Sequence, residues 1–243
     1  MLLRLPRNGL SAVWPVLLAI LLVLTAGCRP VREVASGSTA SPAVTTAVPA
    51  GFRRYDVVAA ESEIRVLVYR DGPMARLGHN HVLRSQALEG KIDLGGKGQD
   101  PRISLKVPVA GFSVDDPKLR GEEGEDFPGV VEENSIEGTR RNMLSEALLD
   151  GAHFPEIRLT SQEIAGTAPD YTMTIAVTVK GETHELIVPV RVEQRAAELR
   201  ATGAFTTTHA ALGLKPFTVL GGLLSVRDEI RLRFRIVARP EAT

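Results

Sequence analysis

The chain has 243 residues with 29 basic and 29 acidic side chains, so its formal net charge is zero. No basic surplus points to nucleic acid. Aromatic residues make up only 5%, and the sole tryptophan, Trp14, lies outside the region that reads as a fold. The sole cysteine, Cys28, excludes an intrachain disulfide.

Residues 1–27 read as an export signal. Arg4 and Arg7 give a positive start, and Val16 to Leu24 is almost wholly aliphatic but shorter than the roughly 20 residues a membrane-spanning helix needs. Leu24-Thr25-Ala26-Gly27-Cys28 resembles the bacterial lipoprotein signal, which implies acylation of Cys28 and a membrane anchor. The expected location is the cell envelope, as a periplasmic-side lipoprotein. Arg29 is not the aspartate that commonly retains lipoproteins at an inner membrane, so outer-membrane sorting is consistent. Residues 28–51 are rich in Ser, Thr, Ala, Pro and Val and lack an apolar period, which reads as a flexible tether. The folded domain is expected over residues 52–239, roughly 190 residues, enough to bury one core.

Period-2 alternation dominates that domain. Arg53 to Ala59 is a predicted first strand. Ile64, Val66 and Val68 alternate with Glu63, Arg65 and Arg70, and Asp71-Gly72-Pro73 ends the run. Leu77-Gly78-His79-Asn80-His81 follows. Leu88, Gly90, Ile92 and Leu94 then alternate with Glu89, Lys91 and Asp93, and Ile103, Leu105, Val107 and Val109 form a fourth set, with Pro108 suggesting an edge or bulge. Asp115 to Glu137, dense in Asp, Glu and Gly, is expected to be a solvated, mobile loop; it lacks an Asp-x-Asp-x-Asp-Gly calcium motif. A helix is predicted over Ile136 to Leu149, stopped by Gly151 and placed to cover one end of a barrel.

Strands return after it. Ile157 and Leu159 start one; Met173, Ile175, Val177 and Val179 form the next; Lys180-Gly181-Glu182 turns the chain into Leu186, Val188, Val190 and Val192. Leu199, Ala201, Gly203 and Phe205 precede a last set, Ile230, Leu232, Phe234 and Ile236, interleaved with Arg231, Arg233 and Arg235. About eight consecutive antiparallel strands with one helix imply an all-β fold, most simply a closed eight-stranded barrel, with a two-sheet sandwich as the alternative. Small inward residues, Gly90, Ala201 and Gly203, leave wall volume, and among aliphatic neighbours such a cavity would suit a hydrocarbon chain; the alternative is that long neighbours such as Phe205, Phe234 and Met173 fill it.

Several segments resemble the YceI-like family. These are Ser145 to Ile157 (SEALLDGAHFPEI), Val177 to Val190 (VTVKGETHELIVPV), Gly90-Lys-Ile-Asp-Leu94, and the Phe205 to Ile236 region with Gly221-Gly222. The resemblance covers about Phe52 to Ala238 and implies an exported, lipocalin-like barrel enclosing a polyisoprenoid or similar amphiphile. The candidate ligand-binding residues are then Gly90, Ile92, Met173, Ile175 and Val177, with Ala201, Gly203, Phe205 and Phe234 across the barrel. Leu77 to His81 matches one branch of that family only, and residues 115–137 exceed its usual link.

Five histidines occur, at 79, 81, 153, 184 and 209. His79 and His81 could share one ion, but no His-x-x-x-His pattern or cysteine pair supplies a third ligand, so no tight metal site is expected. The pair is expected instead to line or brace the barrel mouth, hydrogen-bonding a ligand head group or loop backbone. His153 and His184 read as structural or exposed. No Gly-x-Ser-x-Gly elbow, phosphate loop or His-Glu-x-x-His is present, so a binding protein without a cofactor is expected rather than an enzyme. The competing reading is a metal-dependent or redox accessory protein using His79 and His81.

Overall fold

A computed structural model describes residues 48–96, 101–195 and 197–241. The signal, Cys28 and most of the tether lie outside the described residues. No helix among the described residues is long and apolar enough to cross a membrane.

Among the described residues, twelve strands build one antiparallel sheet. They are β1 (Phe52–Val57), β2 (Glu63–Asp71), β3 (His81–Ser85), β4 (Glu89–Gly95), β5 (Arg102–Pro108), β6 (Phe112–Val114), β7 (Glu156–Thr167), β8 (Asp170–Val179), β9 (Glu182–Arg195), β10 (Glu198–Thr208), β11 (Thr218–Val219) and β12 (Leu224–Pro240). The order β1-β4-β5-β7-β8-β9-β10-β12 returns to β1, because Tyr55, Asp56 and Val57 pair with Pro240, Arg239 and Ala238. That closure decides between barrel and sandwich: the fold is a closed eight-stranded antiparallel barrel with extra strands. Full closure leaves the barrel strands no open edge.

The extra strands hang from β12. Its length of 17 residues lets one edge serve two partners: residues 238–240 pair with β1, and residues 225–235 pair with β2. A register shift between Val226 and Ile230 bends β12 within the second pairing. β2 continues the wall through β3 to β6. This departs from a simple up-and-down order. The segment between the predicted strands ending at Arg70 and starting at Leu88 holds a strand of its own, β3, and β6 was not foreseen.

The hairpin β8–β9 is built as its sequence reads. Lys180 and Gly181 have φ of +51° and +80°, the two left-handed residues of a tight hairpin turn whose twist matches the strands. Alternation is then exact enough that Met173, Ile175, Val177, Leu186, Val188 and Val190 are all buried on the inner face. Pro108 ends β5, beyond the last residue paired with β4, where its missing N–H breaks no ladder bond.

Residues 115–137 are not a solvated mobile loop. They fold into α1 (Pro117–Glu122), a short turn, and the start of α2 (Glu133–Leu144). Asp116 caps α1 by accepting from the Lys118 and Leu119 amides, with Pro117 at the first helical position. The segment buries Leu119, Phe127 and Val131. Leu119 and Phe127 pack with Leu67, Tyr69 and Val82 of the β2–β3 hairpin as a separate small core. Its carboxylates are used: Glu122 and Glu123 pair with Arg65, and Glu123 also pairs with Arg233. Acidic density here complements the arginines on the outer face of β2 and β12. Helix α2 starts and ends earlier than expected, and its Met143 packs with Leu105, Val107 and Phe112 over the barrel interior.

Candidate functional site: an apolar cavity and a histidine–aspartate cluster

The inward side chains do not fill the barrel. They enclose a cavity of about 380 Å³ whose wall is mainly Ile, Leu, Val, Met and Phe. That is within the range of roughly 300–1,000 Å³ typical of small-molecule sites. Ile92, Met173, Ile175, Val177, Ala201, Phe205 and Phe234 lie on this wall, as does His81. α2 contributes Thr139, Asn142 and Met143, so the helix caps the interior. The few other polar groups on the wall include Gln194 and His209.

Gly90 and Gly203 do not line it. At Gly90 an added Cβ would meet the Ser104 carbonyl at 2.3 Å and the Leu105 Cα at 2.8 Å, and its φ is +152°. Close approach of β5 is what requires the glycine. At Gly203 a Cβ would lie 2.5 Å from both the Phe234 ring and the Pro189 carbonyl. Phe234, its cross-strand partner, lies over the space the missing side chain leaves. Two of the three small residues expected to open the cavity are therefore covered by neighbours. The volume comes instead from the width of the barrel, whose aliphatic inner side chains leave its centre open.

The five histidines divide by environment. His153 is exposed and bonds to Asp150 Oδ1 at 2.8 Å. His184 stands against Gly213 with its Nε2 buried, making no hydrogen bond and lying 3.8 Å from Glu182 Oε2. His209 is buried, lines the cavity, and its Nδ1 lies 3.0 Å from the Asp228 carbonyl. His79 and His81 converge on a residue outside their own segment. His81 Nδ1 lies 2.7 Å from Asp115 Oδ2, and His79 Nε2 lies 3.5 Å from the same oxygen. The two rings meet edge to face, centroids 4.6 Å apart. Asn80 between them points away, accepting from the Arg70 amide and donating to the Asp126 carbonyl.

Asp115 is completely buried and held from three sides. Its Oδ1 accepts from the Val82 amide at 2.9 Å and from Arg120 Nη1 at 2.8 Å, and its own amide donates to the Val82 carbonyl. Its φ of +52° is left-handed, a region aspartate tolerates better than most residues. Arg120, 1% exposed, also donates to the carbonyls of Asn80, Pro128 and Gly129. Burial pushes the Asp115 carboxyl up, but His79, His81 and the Val82 amide outweigh it and hold the group well below the usual carboxylate range.

Spacing alone gave His79 and His81 no partner; the fold brings the Asp115 carboxylate to them from 34 residues beyond His81, at the end of β6. The readable signal was the alternation Phe112-Ser113-Val114 running straight into Asp115-Asp116-Pro117, a strand that stops at a helix cap. Arg120 had no such signal.

A closed antiparallel barrel around an apolar, aliphatic-walled cavity is the architecture of lipocalin-like binding proteins. A model of the YceI-like domain matches residues 55–238, and the chain belongs to the YceI-like family. This is a family of β-barrel binding proteins known for hydrophobic ligands. Among solved structures, the chain is similar to Burkholderia cenocepacia BcnA, with 18% identity, a TM-score of 0.52, and coverage of 77% of this chain and all of that one. The Campylobacter jejuni YCEI protein is 10% identical at a TM-score of 0.47, with 66% of this chain and 85% of that one covered. No curated protein matches the chain.

Proposed function

We propose that this protein is exported, anchored by acylation of Cys28, and carries a polyisoprenoid or similar long-chain amphiphile in its barrel. The observation that carries the reading is the cavity: about 380 Å³ enclosed by aliphatic side chains, with few polar groups. An elongated hydrocarbon replaces water there and gains roughly 0.8 kcal/mol per buried CH₂. His81 and His209 line the cavity, and on this reading their imidazoles hydrogen-bond a polar head group. The lipobox-like Leu24 to Cys28 stretch supports envelope attachment, and several acyl chains on one residue anchor stably where a single chain does not.

Organic extraction of the purified full chain, followed by mass spectrometry, is expected to yield a stoichiometric amphiphile with a long hydrocarbon tail. Ala201→Leu, which projects into the cavity, is expected to reduce that yield while the barrel still folds. Extracts carrying no lipid, together with failure to bind a prenyl alcohol in vitro, would exclude this reading. Cys28→Ala is expected to move the protein from the membrane fraction to the soluble fraction; unchanged fractionation refutes the anchor.

A further inference from the structure

We propose that His79, His81 and Asp115 form a binding site for a borderline divalent transition-metal ion such as zinc. One ligand atom from each residue lies within 4.8 Å of the others. With metal–nitrogen and metal–oxygen bonds of about 2.0–2.2 Å, two ligands on a tetrahedral ion stand about 3.3 Å apart. His79 Nε2 is 3.5 Å from Asp115 Oδ2, close to that edge length, and His81 Nδ1 is 2.7 Å from it. Opening the His81–Asp115 contact by about 0.6 Å brings that pair to the same edge length.

A second, independent observation points the same way. His79 Nε2 is buried and has no hydrogen-bond partner. Its 3.5 Å separation from Asp115 exceeds a good hydrogen bond, and a buried polar atom left unpaired is costly. An ion between the three groups satisfies that nitrogen, displaces the proton from His81 Nδ1, and uses the carboxylate oxygen that faces away from Arg120.

The surroundings are built as metal ligands require. Asp115 cannot turn, because Oδ1 is tied to the Val82 amide and to Arg120, and Arg120 is tied to three carbonyls. Such partners orient a ligand and raise affinity. The guanidinium also withdraws part of the carboxylate's charge, which sets the affinity below that of closed structural zinc sites. Three protein ligands leave a coordination position open. The pairing of two imidazoles with one carboxylate suits zinc or copper(II), not calcium or magnesium, which take oxygen ligands. His81 is shared with the proposed head-group contact, but its Nδ1 faces Asp115, so the ion does not require a lipid in the barrel.

Calorimetric titration of the untagged, chelator-stripped full chain with zinc chloride tests this directly. One zinc per chain with micromolar affinity is expected, and His79→Ala and His81→Ala should each weaken binding at least tenfold. His153→Ala, at an exposed ring bonded only to Asp150, should leave it unchanged. Circular dichroism establishes that the variants remain folded; should His81→Ala not fold, the half-exposed His79→Ala carries the test alone. No uptake of zinc or copper(II), or uptake undiminished in folded His79→Ala, overturns the site. Neither result bears on lipid binding, which is read separately by extraction.

Discussion

The hairpins β8–β9 and β2–β3 present the same inner face to the cavity and opposite outer faces. Along β9 of the β8–β9 hairpin the outer side is exposed: Glu185, Ile187, Pro189 and Arg191 all face solvent, Ile187 at 72% exposure. In β2–β3 the outer side is buried: Leu67, Tyr69 and Val82 lie beneath Leu119 and Phe127, and the Tyr69 and Phe127 rings meet edge to face at 5.5 Å. A barrel that keeps its interior open gives up contacts across its centre. The second core outside β2–β3 restores close packing to the hairpin that carries His81. One hairpin is a plain wall; the other is a wall stiffened from behind, with the histidine–aspartate cluster at its turn.

Breaking that outer layer should cost most. Arg120→Met leaves Asp115 buried without its cation, and loss of one partner of such a pair costs roughly 3–5 kcal/mol. Phe127→Ala empties the outer core at a similar cost of about 3–5 kcal/mol. Chemical denaturation should show both, with the midpoint falling and the slope nearly unchanged. Ile175→Ala, on the inner face of β8, should cost less, about 2 kcal/mol, because its neighbours already face a void. A loss for Ile175→Ala equal to that for Phe127→Ala would mean the interior is as tightly packed as the outer core.

Acid should act on a different part of the barrel. Asp93 on β4 forms a two-point ion pair with Arg54 on β1, at 2.7 and 2.8 Å, both side chains largely buried. The hydrogen bonds from Arg54 outweigh burial and hold the Asp93 carboxyl below its ordinary value. The unfolded chain then binds this proton more readily, so the pair's stabilisation is present above an unfolded pKa of about 3.9 and is lost as pH falls through the folded one. Asp93→Asn should flatten stability between pH 4 and 2 relative to the parent, roughly. The smallest effect is expected for Glu122→Gln: it removes one contact of Arg65 at a half-exposed carboxylate, worth about 0–1 kcal/mol, since Glu63 and Glu123 remain.

Strand identity was legible wherever one face is dry and the other wet. β8, β9, β10 and β12 follow the alternation of their side chains, and the turn at Lys180-Gly181 lies where the residues require it. The exceptions are informative. Val66-Leu67-Val68-Tyr69 is continuously apolar, the mark of a strand buried on both sides; reading it only as an alternating strand missed the outer core that residues 115–137 supply. Acidic composition suggested solvent for those residues, but Glu122 and Glu123 find their arginines on other strands.

The amino-acid sequence by itself determined an all-β domain with one covering helix and an aliphatic inner face, because period-2 patterning is local and survives without knowledge of partners. It also marked His79 and His81 as chemically unusual. The tertiary structure alone decided that β12 closes the barrel onto β1 while feeding β2, that Leu105 and Phe234 cover the glycines expected to open the cavity, and that Asp115 and Arg120 complete the cluster. Each of these depends on a contact between residues far apart in the chain. Which side chain meets which across a closed sheet is set by register and curvature, and those exist only once the barrel has formed.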